Sequence, residues 1–147
     1  MPGWSALEAA STFRLTPQEC ERRPRLSRPE RGHVPAVVLA AMSTTEIRVI
    51  GDPVLRTRAT EVAEVTGTLV RLTEDMLTTM YEAPGIGLAA PQVGVQKRIF
   101  VYDWGEGPGI VVNPRIEGSD GEWVYEEGCL SIPGLTWEIL RPKEVHL

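Results

Sequence analysis

The sequence has little of what builds cross-linked or histidine-rich sites: two cysteines, Cys20 and Cys129, and two histidines, His33 and His146. Two cysteines so far apart do not make the disulfide framework of a small secreted domain, and a reduced, cytosolic setting fits better. No apolar run approaches the ~18 residues that a membrane-spanning helix needs. A formal net charge of −5 argues against a general nucleic-acid-binding surface, although it leaves room for a local basic patch. No internal repeat is visible.

What is present divides into two parts. The chain has 147 residues, 42 % of them hydrophobic, which suits one folded domain. Residues 1–41 carry six basic and four acidic residues, a net of +2. Residues 42–147 carry nine basic and sixteen acidic residues, a net of −7. The first part includes "ERRPRLSRPERGHVP", rich in Arg and Pro and without an apolar period, so 1–41 is expected to be a disordered or dispensable extension. "VPAVVLAAM" has the look of a secretory core but lies too far from the start, and Glu8, Glu19, Glu21 and Glu30 oppose a transit peptide. Patterned sequence begins just after Met42, which makes that residue an alternative start.

From Met42 the pattern predicts an α+β fold with a mostly antiparallel sheet and a helix packed on it. "GDPVLR" opens with a turn. In "TGTLVRLTEDMLTTMYEAPG", Leu69, Leu72, Met76 and Met80, with Leu77 and Tyr81 beside them, recur at spacings of three and four. That is the apolar stripe of a helix of about four turns, capped by Thr66 or Thr68 and ended by Pro84 and Gly85. "KRIFVYD", "GIVVNP", "GEWVYEE" and "LTWEIL" follow as short strands rich in Val, Ile, Trp and Tyr. The connections are too short for crossover helices, which favours antiparallel pairing.

Two segments stand apart from this scaffold. "GIGLAAPQVG", residues 85–94, follows the helix, so its glycines are not a dinucleotide fingerprint, which follows a strand. Gly85 and Gly87 allow close approach of another backbone, and Gln92 offers an amide in an apolar context. "EEGCLSIPG", residues 126–134, places Cys129 at the end of a strand. Core filler, nucleophile and metal ligand are all open for it. A buried thiol is common, and a nucleophile would need a base that neither His33 nor His146 obviously provides.

Together the two segments are more specific than either alone. "GIGLAAPQ" followed by "EGCLS" resembles the signature motifs of the peptide deformylases. The resemblance continues through "GDPVLR", "DMLTTMYEAPGIGLAAPQVG", "NP" and "RP", and covers roughly residues 43–147. It implies a deformylase-like fold and removal of the formyl group, as formate, from N-formylmethionyl peptides of newly made cytoplasmic proteins. It implies Cys129 as a metal ligand, the ion being Fe2+, with Zn2+, Ni2+ or Co2+ as alternatives. It implies Gln92 and the backbone N–H of Leu130 as oxyanion donors, and the backbone around Ile86 and Gly87 as the strand that holds the peptide. The partners implied are the nascent peptide and, as a candidate, the ribosome, with no direct nucleic-acid site and no membrane.

The sequence departs from the family in one respect. The family's other two ligands and its general base come from a helical HExxH, whose spacing puts both histidines on one face. The 147 residues contain no HExxH. His146 has no second histidine at helical spacing, and "KEVHL" alternates as a strand does. The expectation is a deformylase-like domain truncated before HExxH, with an uncovered apolar sheet face, and a non-catalytic remnant is the alternative. Deleting residues 1–41 is expected to leave thermal unfolding of the remainder unchanged. A loss of several degrees, at a few degrees per ~1 kcal/mol, would show that the extension packs on the domain.

Overall fold

The computed structural model describes residues 43–147. The expected extension over 1–41 lies outside the described residues.

The expected helix is α1, Gly67–Glu82, and of the two threonines Thr66 caps it, its side chain accepting from the Leu69 N–H at 3.3 Å. Met76 and Met80 are fully buried, and Leu69, Leu72 and Leu77 pack partly against them. Tyr81 leaves the stripe. It lies one step round the helix from Met80, is half exposed, and donates its hydroxyl to Asp103 Oδ2 at 2.6 Å. Partial burial and the Asp103 carboxylate raise the Tyr81 phenol to about 12, and the same hydrogen bond holds Asp103 below the usual carboxylate range. Two threonines take buried places on the helix instead. Thr73 Oγ1 donates to Val70 O at 2.8 Å. Thr79 Oγ1 donates to Asp75 O at 2.7 Å and accepts from the Thr45 N–H at 3.0 Å. Both hydroxyls are thus satisfied within the core.

The chain leaves α1 into β1, Gly87–Ala89, then a 3-10 turn, Ala90–Val93, and returns as β2, Ile99–Tyr102, and β3, Gly109–Val112. These strands form one antiparallel sheet in the order β1-β2-β3, with Leu88 opposite Val101 and Val101 opposite Ile110. Alternation along β2 turns Ile99 and Val101 inward. With Met76, Met80, Leu88, Ala90 and Val93 they make the core.

The remaining strands form separate antiparallel ladders rather than one continuous sheet. β4, Gly118–Asp120, pairs with β7, Glu144–His146, and β5, Trp123–Cys129, pairs with β6, Ile132–Arg141. β6 starts three residues before the "LTWEIL" segment, because Pro133 and Gly134 are absorbed in a register shift next to Cys129 rather than ending the strand. Gly134 has φ 78°, a left-handed conformation that suits glycine at such a shift. His146 lies on β7 opposite Gly118, in the strand its alternation predicts. Val124, Leu135, Trp137 and Leu140 of the β5–β6 hairpin are exposed, so these four are not covered by the described residues.

Met80→Ala is expected to destabilise the domain by about 2–5 kcal/mol, the usual range for emptying a buried methionine site. Urea unfolding followed by circular dichroism measures it, and a cost within ~0.5 kcal/mol would place the core elsewhere.

Candidate functional site

The two unusual segments meet in the fold. Gln92 stands on the 3-10 turn that follows β1, and Cys129 ends β5. Gln92 Oε1 accepts from the Ala89 N–H at 2.9 Å. That bond sets the amide orientation, since the flipped amide would oppose an N–H with its own donors. Gln92 Nε2 then donates to Ser131 Oγ at 3.0 Å and lies 3.9 Å from Cys129 Sγ. Its amide nitrogen thus donates to both Ser131 and, in a long contact, the sulfur of Cys129. A loop glutamine free in solvent would have none of these ties.

Cys129 is exposed, which removes the core-filler reading. Leu130 and Ser131 make the turn between β5 and β6, with Cys129 opposite Ile132. The Leu130 N–H therefore belongs to the turn beside the thiol rather than to the strand ladder. The Leu130 side chain points the other way and packs on the core. A Cβ built at Gly85 would lie 2.6 Å from Leu130 Cδ1. The absence of a side chain at position 85 is thus used by the protein's own Leu130.

At Gly87 a Cβ would make only an ordinary contact, 3.6 Å from Val101 O. The stretch instead presents an open edge. β1 is an outer strand of its sheet, and the Ile86 carbonyl accepts from the Asp103 N–H at 3.0 Å on the β2 side. By alternation, the Gly87 N–H and C=O face the open edge. The Ile86 side chain is 62 % exposed beside it. This arrangement can add an extended peptide as a further strand, with an amide donor and a thiol close to its end.

Ser131 is the site residue that the sequence reading missed. It is buried, holds Gln92 Nε2 through Oγ, and accepts from the Ile50 N–H at 2.8 Å through its carbonyl. A serine two places after a cysteine carries no signal of this in the sequence.

A model of the polypeptide deformylase family matches residues 44–147. The chain belongs to the polypeptide deformylase family. It is 57% identical over 104 residues to the peptide deformylase of Agathobacter rectalis, covering 71% of this chain and 66% of that protein. It is 52% identical to the peptide deformylase of Clostridium botulinum, covering 71% of each. The crystal structure of the Thermotoga maritima peptide deformylase superposes with a TM-score of 0.68 at 50% identity, covering 69% of this chain and 70% of that one. The chain thus spans about two thirds of the length of the curated deformylases it matches. The antiparallel ladders and single helix are the deformylase fold over that span.

Deformylases are metal-dependent, so the donor set matters. Among the described residues no three His, Cys, Asp or Glu side chains gather in a way that could hold an ion. His146 sits on the β4–β7 ladder, and Cys129 on the β5–β6 ladder. One exposed thiol beside an amide donor does not fit a metal by itself, since protein sites use three or four ligands.

Ser131→Ala is expected to free Gln92 Nε2 while leaving the fold intact, at a cost of about 1–2 kcal/mol. Amide exchange at Ile50, whose partner is a backbone carbonyl, should change little, whereas the Gln92 side-chain NH2 resonances should sharpen and shift. Unmoved side-chain resonances would show that the Gln92–Ser131 bond does not hold the amide.

Proposed function

We propose that this domain supplies the peptide-binding edge and the oxyanion donors for removing the N-formyl group from N-formylmethionyl peptides of newly made cytoplasmic proteins. The observation that carries this reading is the Gln92 amide, fixed at Ala89 and Ser131, lying beside the Cys129 thiol next to an open strand edge.

The roles follow from that placement. The peptide lies along Ile86 and Gly87 as an added strand, its backbone bonded to the open edge. The formyl carbonyl then ends near Gln92 and the Leu130 turn. Hydrolysis of an amide builds negative charge on the carbonyl oxygen. The Gln92 N–H that meets the Cys129 sulfur only at 3.9 Å and the Leu130 N–H are the donors that would stabilise it. Both are held before the substrate arrives, Gln92 by its two hydrogen bonds and Leu130 by the turn, so little reorganisation is needed. Cys129 is one donor to a divalent ion, iron(II) in the resemblance, with zinc, nickel or cobalt as alternatives. The ion's retention, and the general base, need groups that residues 43–147 do not supply.

The test uses the 147-residue chain and a chimera joining it to the HExxH-bearing remainder of the Thermotoga maritima relative. The chimera is expected to release formate from a formylmethionyl peptide when iron is supplied anaerobically. Gln92→Ala in the chimera should keep the metal and lower turnover by on the order of 10²–10³. Cys129→Ala should lose the metal on dialysis. The 147-residue chain alone is expected to show no enzyme-like formate release. An unchanged rate in Gln92→Ala would overturn the oxyanion role, and a chimera that folds and binds iron without releasing formate would overturn the reading as a whole.

A further inference from the structure

The residues just ahead of the Pro53–Arg56 turn touch both halves of the candidate site. The Arg48 N–H donates to Gln92 O at 2.7 Å, and the Ile50 N–H donates to Ser131 O at 2.8 Å. Both donors thus serve from one side of a three-residue stretch, as N–H groups two places apart do in an extended chain. Gln92 Nε2 in turn donates to Ser131 Oγ at 3.0 Å. The three hydrogen bonds close a ring that runs from Arg48 through Gln92 and Ser131 to Ile50 and back along the chain. Gln92 and Ser131 are each held twice in it, by main chain and by side chain.

The stretch is anchored apart from these bonds. Ile47 packs against the core. The Asp52 N–H donates to Val49 O at 3.1 Å, closing a four-residue turn. Gly51, third in that turn, has φ 108°, and Ile50, second in it, is not among the residues with positive φ. This combination marks a type II turn, in which proline is favoured at the second position. Beyond the turn, Asp52 Oδ1 accepts from the Val54 N–H at 2.9 Å, and Gln96 Nε2 donates to Val54 O at 2.6 Å. The Ile50 side chain is 60% exposed, so what this residue contributes to the site is its N–H.

We infer that Arg48 and Ile50 are positioning residues that set the Gln92 amide against the Leu130 turn for the hydrolytic step. The inference rests on the deformylase reading, in which the Gln92 and Leu130 N–H groups receive the developing charge. Neither the Arg48 nor the Ile50 N–H is free to meet a substrate, since each is spent on a backbone carbonyl. The Ile50 bond holds the Ser131 carbonyl, one residue from Leu130, and the Arg48 bond holds the Gln92 main chain from which the amide projects. Oxyanion donors act by being held where charge develops, so a ring that ties one to the other supports turnover rather than peptide binding. The peptide edge at Ile86 and Gly87 is paired to the β2 side and lies outside the ring. A change at Ile50 therefore moves kcat and leaves KM.

Ile50→Pro is the test, because it deletes one donor of the ring and suits the turn. In the chimera with the Thermotoga maritima remainder it is expected to retain iron, to keep KM within about twofold and to lower kcat about tenfold, less than the ~10² that a 1 Å misplacement can cost. Ile50→Val, which keeps the N–H, should restore the parent's kinetics. A second readout needs no turnover. In the 147-residue chain the Gln92 side-chain NH2 resonances should shift in Ile50→Pro and stay in place in Ile50→Val. Unchanged kcat in Ile50→Pro, an equal loss in Ile50→Val, or a rise in KM with kcat intact would each overturn the proposal, as would Gln92 resonances that do not move. If Ile50→Pro unfolds, Gly51→Ala replaces it. A methyl there meets nothing within 4 Å and acts only by straining the turn. A kcat loss in the same direction is expected, and its absence overturns the proposal. A parent chimera that releases no formate would sink the deformylase reading, while the resonances would still decide whether Ile50 positions the amide.

Discussion

Ser131 joins the two halves of the described domain. Its hydroxyl holds the Gln92 amide and its carbonyl holds the Ile50 N–H. Gln92 in turn belongs to the turn packed under α1, through Ala90 and Val93 in the core. The β5–β6 hairpin has few buried apolar residues of its own, so its position relative to the core is set by these polar ties and by Leu130. Buried and satisfied hydrogen bonds of this kind contribute modest net energy, but they are costly to leave unmade, and that makes one geometry preferred over others. The distance between Gln92 and Cys129 is a consequence of this preference.

Much of the scaffold could be read from the sequence because its signals are local. The helix is fixed by apolar residues at spacings of three and four and by a threonine cap, and both survive in α1. Tyr81 was misplaced because adjacency in sequence turns a side chain about 100° round the helix, where Asp103 rather than the core awaited it. The start of β6 was misread because Pro133 and Gly134 have the chemistry of a strand break, and only pairing with β5 shows that the chain runs on through them.

The geometry around Gln92 and Cys129 was not legible in the sequence. Nothing local says that Cys129 is exposed, since burial of a thiol depends on what covers the end of its strand. Nothing near position 92 says that the amide finds Ser131, 39 positions away. Gly85 was read as room for another chain, whereas the room is taken by Leu130. His146 was read as a strand residue, and the fold places it on a different ladder from the thiol.

The fit of Leu130 over Gly85 also restricts how this sequence can drift. A methyl group at position 85 would meet the tip of the Leu130 side chain at 2.6 Å, so the leucine would have to turn aside to make room for it. Two positions 45 apart along the chain thus share one small volume. The two motifs therefore touch through packing as well as through the Gln92–Ser131 hydrogen bond.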